Sequence, residues 1–524
     1  MGREHVTQGL GLLVASLGLA VGLTSIARAS ELIVTNGNAV DVTTNTTSDG
    51  ASVGIDHNLS SGNTDPNGTV TIESGAVWTI NSVGTDTYGN LLPSLWLNST
   101  FNEYSSATGT ATVNVLSGGA LVNGGATLIG ANNWYPSHPT GAMDVASGAT
   151  FTNQGQLTVD RGQLTIEGTV NNNAQNAFFG DASGNAGSAL VTVNGPNATL
   201  NVTNSSVQVS YASGNAQLNI EEGGTVNSYW GMIGTSGATQ TGSVTVQGDS
   251  GLGLTSTWNA TDYISVGEYG AQGSLTVNDH GTVNMRRMFI GLLANPTDTP
   301  AGTGTVTVNS GGAITVTPGF LPATVEMWAG STLDVSNGGQ MLIGNGNVNF
   351  VTPGTIEVSN GGVLKGEGTV KGNVFVTGGG IVKPGHSPGT ITVDGNLTVD
   401  PSSSTSGITI DIASATSYDV LNVTGTLDFG GGTINLNFIN GYTPTQGDPV
   451  NLTPFTAGTL TGTFSGVSVT GLPAGQTASV DFSSLSSGQI AFTPVLAPEP
   501  ASLALLMVAG TLLAVRRRGE ERGL

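Results

Sequence analysis

Along most of this chain, apolar and polar residues alternate in short runs punctuated by glycine. Gly68 to Ile80 reads GTVTIESGAVWTI, and Gly273 to Asn284 reads GSLTVNDHGTVN. Gly304 to Val316 reads GTVTVNSGGAITV, and Gly354 to Leu364 reads GTIEVSNGGVL. Weaker copies start at Gly109, Gly141, Gly155, Gly214 and Gly242. A period of two marks a strand that buries one face, so Val, Leu and Ile point to an interior while Thr, Ser and Asn point outward. Between these phrases sits a second element, a short mostly apolar pair followed by glycine: Leu128-Ile129-Gly130, Met232-Ile233-Gly234, Ser265-Val266-Gly267, Phe289-Ile290-Gly291 and Leu342-Ile343-Gly344. No helix-length amphipathic pattern interrupts the series between Ser30 and Ala497.

The recurrence has a period. From Gly214 the phrase restarts at Gly242, Gly273 and Gly304, at nearly even intervals. Alternating β sequence on such a period points to a solenoid, in which each repeat buries its face only against its neighbours. The expected fold is all-β: a right-handed parallel β-helix over residues 30–400, closed by a C-terminal β cap over 401–497 where turns become richer in proline. With rungs of about 22 residues, the body holds roughly 17 rungs and is on the order of 80 Å long. Asn278, Asn309 and Asn360 occupy matching turn places and are expected to stack rung on rung. The alternative, an array of β-sandwiches, calls for distinct linkers and larger aromatic cores, and neither is visible.

Composition narrows the class. Glycine alone counts 81 of 524 residues, charged residues are 9% and aromatics 6%, an unusual balance for a globular enzyme or a helical protein. Between Ser30 and Ala497 six basic residues (Arg161, Arg286, Arg287, Lys365, Lys371, Lys383) face thirty acidic ones. This balance argues against nucleic acid as a partner, because phosphates demand basic clusters. Self-repulsion of this excess charge keeps a Gly- and Asn-rich rod soluble. There is no cysteine, hence neither a disulfide framework nor a lipoprotein attachment site.

The two ends carry targeting signals. Arg3 precedes an apolar run from Gly9 to Ile26, and Ala27-Arg28-Ala29 makes an A-x-A site ahead of Ser30. Residues 1–29 are therefore expected to be a signal peptide, with a helical core, removed by signal peptidase. At the other end Pro498-Glu499-Pro500 precedes an apolar stretch from Ala501 to Val515 and the cluster Arg516-Arg517-Arg518. Fifteen helical residues rise roughly 22 Å against a ~30 Å hydrocarbon core, which makes a marginal transmembrane helix. The arginines hold its end on the cytoplasmic side and leave 519–524 as a short cytoplasmic tail.

This order of motif, apolar segment and basic cluster over 498–518 resembles the sorting signal of PEP-CTERM proteins. The resemblance implies export, transient anchoring in the inner membrane, and processing near Pro500 by an exosortase-type protease. It further implies a final place at the cell surface or in the extracellular matrix of an exopolysaccharide-producing bacterium, with exopolysaccharide as a partner. A second resemblance lies in GEGTVKGNVFVTGGGIVKPGHSPGTITVDGNLTV from Gly366 to Val399, followed by YDVLNVTGTLDFGG from Tyr418 and YTPTQGDPVNLTPFTAGTLTGTFSG from Tyr442. This succession looks like the C-terminal passenger region of autotransporter proteins. An autotransporter continues into a membrane barrel of roughly 250 to 300 residues, and even the smallest barrel has eight strands. Only about 30 residues separate Gly466 from Pro498, too few for such a barrel, so self-translocation is not expected.

Several motifs invite a chemical reading. Gly385-His386-Ser387-Pro388-Gly389 fits G-x-S-x-G, but the hydrolase elbow needs a strand before the serine and a helix after it, whereas Pro388 and a second strand follow here. Gly248-Asp249-Ser250-Gly251 resembles a serine-protease motif, yet His57 lies in an unsuitable context and Leu252 replaces a second glycine. His57, His138, His280 and His386 are far apart and read as turn residues. Polysaccharide-cleaving enzymes do occur on β-helices, and Asp249, Asp262, Glu268, Asp279 and Asp298 with Arg286 and Arg287 are the residues such a site would draw on. Neither a glycine-rich calcium nonapeptide nor an EF-hand loop is present, so no metal and no cofactor is expected. Trp96, Trp134, Tyr135, Trp230 and Trp258 are the aromatics that would stack on sugars if exposed. The resulting expectation is a structural, non-enzymatic surface protein, with an adhesin and a polysaccharide lyase or hydrolase as rivals.

Overall fold

In a computed structural model the described residues are 21–23, 32–34, 38–53, 67–81, 93–97, 109–130, 140–173, 175–180, 188–211, 214–235, 241–249, 251–291, 302–319, 322–344, 354–400 and 405–496. The expected cleavage residues Ala27, Ala29 and Ser30, the motif Pro498, Glu499 and Pro500, the 501–515 segment and Arg516, Arg517 and Arg518 all lie outside them. Within the segment expected to be a signal helix, Val21–Leu23 is instead an extended strand, paired in parallel with Val40–Val42. In the full-length chain this apolar tripeptide satisfies backbone groups at the open edge of the first rung. Among the described residues no helix is long and apolar enough to cross a membrane.

Alternation becomes a coil. Gly68–Ile72 buries Val70 and Ile72 and turns Thr71 outward; Gln272–Asn278 buries Leu275 and Val277 and turns Thr276 outward. Strands of this kind stack in parallel into an 18-stranded sheet, whose pairings are parallel except that of Ser417–Tyr418. Most rungs then send two shorter strands into a 27-stranded parallel sheet, so the chain winds around three strand columns. The buried Val, Ile and Leu form one continuous apolar cluster from Leu32 to Phe492. Full burial of each such side chain contributes about 1.5–3 kcal/mol, which is how a chain with few aromatics stays folded. The described architecture is thus an all-β solenoid.

The corner after each first-sheet strand explains the recurrent glycine. In Asn309-Ser310-Gly311-Gly312 the Gly312 N–H donates to the Asn309 carbonyl at 2.9 Å, and Gly311 takes φ of 76°. The same closure joins Gly339 to Ser336 and Gly362 to Ser359, both at 2.8 Å. A left-handed residue is needed at each turn, which favours glycine. At the opposite corner a Cβ on Gly267 would run into the Thr303 carbonyl of the next rung.

Rung length is less regular than an even repeat would make it. Gly242, Gly273 and Gly304 are true register partners on neighbouring strands. Gly242 pairs with Ala216, however, so the phrase start at Gly214 lies slightly out of step. The advance is short where Val363 meets Ile381 and more than twice as long where Gly68 meets Ala111. Among the described residues, first-sheet strands between residues 30 and 400 number thirteen, from Asn38–Val42 to Ile381–Pro384. They span about 60 Å at ~4.8 Å per strand.

Parallel stacking continues beyond residue 400 through Gly407–Ser414, Thr433–Phe438 and Gly466–Thr470. Val450–Leu452, Gln476–Asp481 and Ile490–Leu496 then form a three-stranded antiparallel sheet. Phenylalanines join this sheet to the last rungs: Phe438 meets Phe492 at 5.0 Å, and Phe464 meets Phe482, just after Gln476–Asp481, at 5.5 Å.

Candidate functional site

The densest chemistry lies on one strand column, where Thr225–Ile233, Tyr263–Val266, Arg287–Ile290, Thr324–Met327, Thr355–Val358 and Asn373–Val376 stack in parallel. Their inward residues, Ile264, Met288, Val325 and Ile356 among them, are fully buried. The outward residues make two rows along the rod. Trp230, Tyr263 and Arg287 form one; Phe289, Glu326, Glu357 and Phe375 form the other, one residue per rung and in register. Gly231 keeps the interior open beneath them, since a Cβ there would overlap the buried Trp258 indole.

Asp262, in the corner just before Tyr263, organises the first row. The Arg287 Nη2 donates to both carboxylate oxygens at 2.9 Å, and Trp230 Nε1 donates to Oδ2 at 3.1 Å. The Asp262 carbonyl also accepts the backbone N–H groups of Arg286 and Arg287. Held this way, the guanidinium sits 5.7 Å from the ring centres of Tyr263 and Phe289. The rings continue the contact, with Trp230 6.0 Å from Tyr263 and Tyr263 5.6 Å from Phe289. The aromatic faces present apolar area and the guanidinium adds cation–π attraction.

Burial at this column opposes ionisation of three of its acidic groups. Burial, reinforced by Glu268 and Asp262, pushes the Tyr263 hydroxyl up to about 12. Burial also raises the Glu268 carboxyl, which is only 3% exposed. Glu326 is raised by burial and then by Glu357, its register neighbour, with Arg287 opposing the shift.

The remaining expected site residues do not converge. Asp249 closes a local turn, its Oδ1 accepting the N–H groups of Gly251 and Leu252 at 2.7 and 3.1 Å. Asp279 and His280 are turn residues with positive φ of 43° and 62°. Arg286 is exposed and lies along Gly319. Asp298, His57, His138, Trp134, Tyr135 and Ser250 fall outside the described residues. Trp96 is 5% exposed and Trp258 is fully buried, its Nε1 donating to Ser228 Oγ at 3.0 Å; neither is a surface platform. Among the described residues there is no group of three or more His, Asp or Glu side chains that could hold a metal ion.

The Gly385–Gly389 turn separates its serine from its histidine. Ser387 Oγ donates to Asp411, whereas His386 Nε2 pairs with Asp334 Oδ2 at 3.0 Å. In a Ser-His-Asp triad the imidazole accepts the serine proton, and this serine is bonded to a carboxylate instead. Lys383 and Lys365 complete the cluster, 3.0 Å from Asp411 and 3.1 Å from Asp334. Burial works against ionisation of Asp411, but bonds from Ser387, Asn437 and Lys383 hold its carboxyl below the ordinary value. Asp419 is pushed the other way, up to about 7, chiefly by burial.

A second surface feature is an open polar groove of about 800 Å³. Thr110, Thr140, Gln163, Ser188, Asn215 and Thr241, on successive first-sheet strands, line it together with Arg161. Thr110 and Thr140 join their hydroxyls at 3.0 Å.

Sequence alone singles out Asp262, Glu268, Arg287 and Trp230 separately. It misses Tyr263, Phe289, Glu326, Glu357 and Phe375 as one surface. The signal is present in the alternation, since each occupies an outward position of its strand, but rung advances of unequal length conceal the register.

No family model matches this chain, and no curated protein matches it. Among solved structures, the crystal structure of a TibC-catalyzed hyper-glycosylated TibA fragment is similar at 16% identity. The match covers 78% of this chain and 99% of that one, with a TM-score of 0.27.

Proposed function

We propose that this chain is an exported, surface-directed structural protein, a right-handed parallel β-helix that works in the extracellular matrix or at the cell surface. The right hand follows from the general preference of parallel crossovers. Signal peptidase removes residues 1–29, the 501–515 helix holds the chain briefly in the inner membrane, and an exosortase-type protease processes it near Pro500. The observation that carries the structural reading is the uninterrupted parallel ladder, which repeats outward polar rows along its length. Such a surface works through many weak contacts rather than one reaction centre. The separate pairing of Ser387 and His386 supports a role without catalysis.

Intact mass and C-terminal peptide mapping of the protein from each fraction of its native host test this. A chain ending near Pro500 in the surface or extracellular fraction is expected. A full tail through Leu524, found only in the inner membrane, would replace the reading with a tail-anchored periplasmic rod.

The Trp230–Tyr263–Arg287–Phe289 surface favours a second reading, an adhesin with one specific saccharide-binding patch. Trp230→Ala then abolishes attachment to cells or polysaccharide while matrix yield is unchanged. For a lyase or hydrolase, the discriminating result is release of reducing or unsaturated sugars that disappears in Asp262→Asn.

A further inference from the structure

We propose that the outward row Phe289, Glu326, Glu357 and Phe375, flanked by Trp230 and Tyr263, binds a glycan chain that carries free amino groups. The inference rests on the second reading above and names the ligand class for that patch.

The four residues stand on consecutive rungs in strict register, two rings bracketing two carboxylates. At ~4.8 Å per rung the row runs about 14 Å along the rod, which suits a linear polymer better than a compact ligand. Phe289, Glu326 and Phe375 are partly exposed and Glu357 is exposed. The C–H faces of pyranose rings pack on aromatic faces, and here the rings recur along the axis as sugars recur along a glycan.

Charge selects among glycans. Arg287 is already committed to Asp262 by two hydrogen bonds. Among the described residues neither Glu326 nor Glu357 is in a salt bridge, although the two are direct parallel neighbours. Like charges opposite one another destabilise a sheet unless a cation lies between them. Sugar ammonium groups would supply that cation and make charge-assisted hydrogen bonds. The chain's net charge of −22 disfavours acidic polysaccharides in the same place.

The test is calorimetric titration of the purified full chain with a glucosamine oligomer and, separately, with its fully N-acetylated counterpart. The amino form is expected to bind at least about tenfold more tightly. Glu326→Gln combined with Glu357→Gln, which keeps side-chain shape, is expected to remove that difference. Phe375→Ala is expected to weaken binding of both oligomers, with an unchanged circular dichroism spectrum as the folding control. Equal affinity for the two forms would overturn the amino-group assignment while leaving a saccharide patch standing. Absence of binding to either would overturn both. Binding of calcium alone, lost in the double Gln variant, would make the glutamate pair a cation site and overturn the glycan proposal. Because the protein is purified, none of these results bears on where the host sorts it.

Discussion

Individual asparagines do two different jobs in this solenoid. Asn123, Asn153 and Asn172 form a buried ladder, Asn123 Nδ2 donating to Asn153 Oδ1 at 2.9 Å and Asn153 Nδ2 to Asn172 Oδ1 at 2.7 Å. Asn171, Asn201, Asn227, Asn259 and Asn284 make a second ladder on the outer surface, with links of 2.8 to 3.0 Å. The asparagines singled out from the turns are elsewhere; Asn278 donates to Gln247 and not to Asn309. Burial decides what each ladder is worth. Asn153→Ala orphans several enclosed groups and is expected to cost about 3 kcal/mol, against under about 1 kcal/mol for Asn227→Ala. Comparative denaturant unfolding of the two variants measures the contrast. Asp419 gives a pH signature. Its carboxyl titrates near 7 in the fold against an ordinary 3.8, so its favourable share of stability is complete below pH 3.8 and is lost as pH rises through about 7. Asp411, held low, acts in the opposite direction. The readout is therefore the difference between wild type and Asp419→Asn, whose melting temperature is expected to fall less steeply between pH 4 and about 7.

At the scale of the rung, register is the controlling quantity. Gly242, Gly273 and Gly304 are equivalents on neighbouring strands, so the segment 273–303 amounts to one complete turn. Deleting that whole turn joins Gln272 to Gly304 and is expected to leave a folded, shorter solenoid. Deleting only 273–302 slips the next strand by one position and turns its apolar side chains outward. Circular dichroism and limited proteolysis are expected to show a protected β protein for the first variant and a protease-sensitive one for the second. Equal protection of both would show that the loops absorb the slip.

The whole molecule must close its ends. An open last rung presents unpaired backbone groups to any passing strand. The antiparallel sheet of Val450–Leu452, Gln476–Asp481 and Ile490–Leu496 lies at that end, held by rings that include the buried Phe429, Phe455 and Phe492. Phe464 touches Phe429, Phe455 and Phe482 at once. Phe464→Ala is expected to cost about 3–5 kcal/mol locally and to promote end-to-end association. Native-state hydrogen exchange would place the loss in residues 405–496, and light scattering would report the association. Unchanged exchange there would mean that the terminal sheet is not what protects the rod.

Alternation is a local property, written in side-chain hydrophobicity over a short run of chain, and it was legible in the sequence. It determined that this chain is all-β, which residues of Gly273 to Asn284 or Gly304 to Val316 turn inward, and that glycine marks the corners. The even advance from Gly242 through Gly273 to Gly304 was legible for the same reason, because those rungs are nearly the same length. Lateral neighbourhood is not local. The chain runs much further between Glu326 and Glu357 than between Glu357 and Phe375, and nothing in either segment announces the other. Trp258 and Trp230 look alike in sequence, yet one fills the interior beneath Gly231 while the other lies on the outer face against Tyr263. Those outcomes depend on how much chain each rung spends in its loops before returning to the stack. Only the tertiary structure decides that, because strand pairing between rungs is set by the packing of the common core.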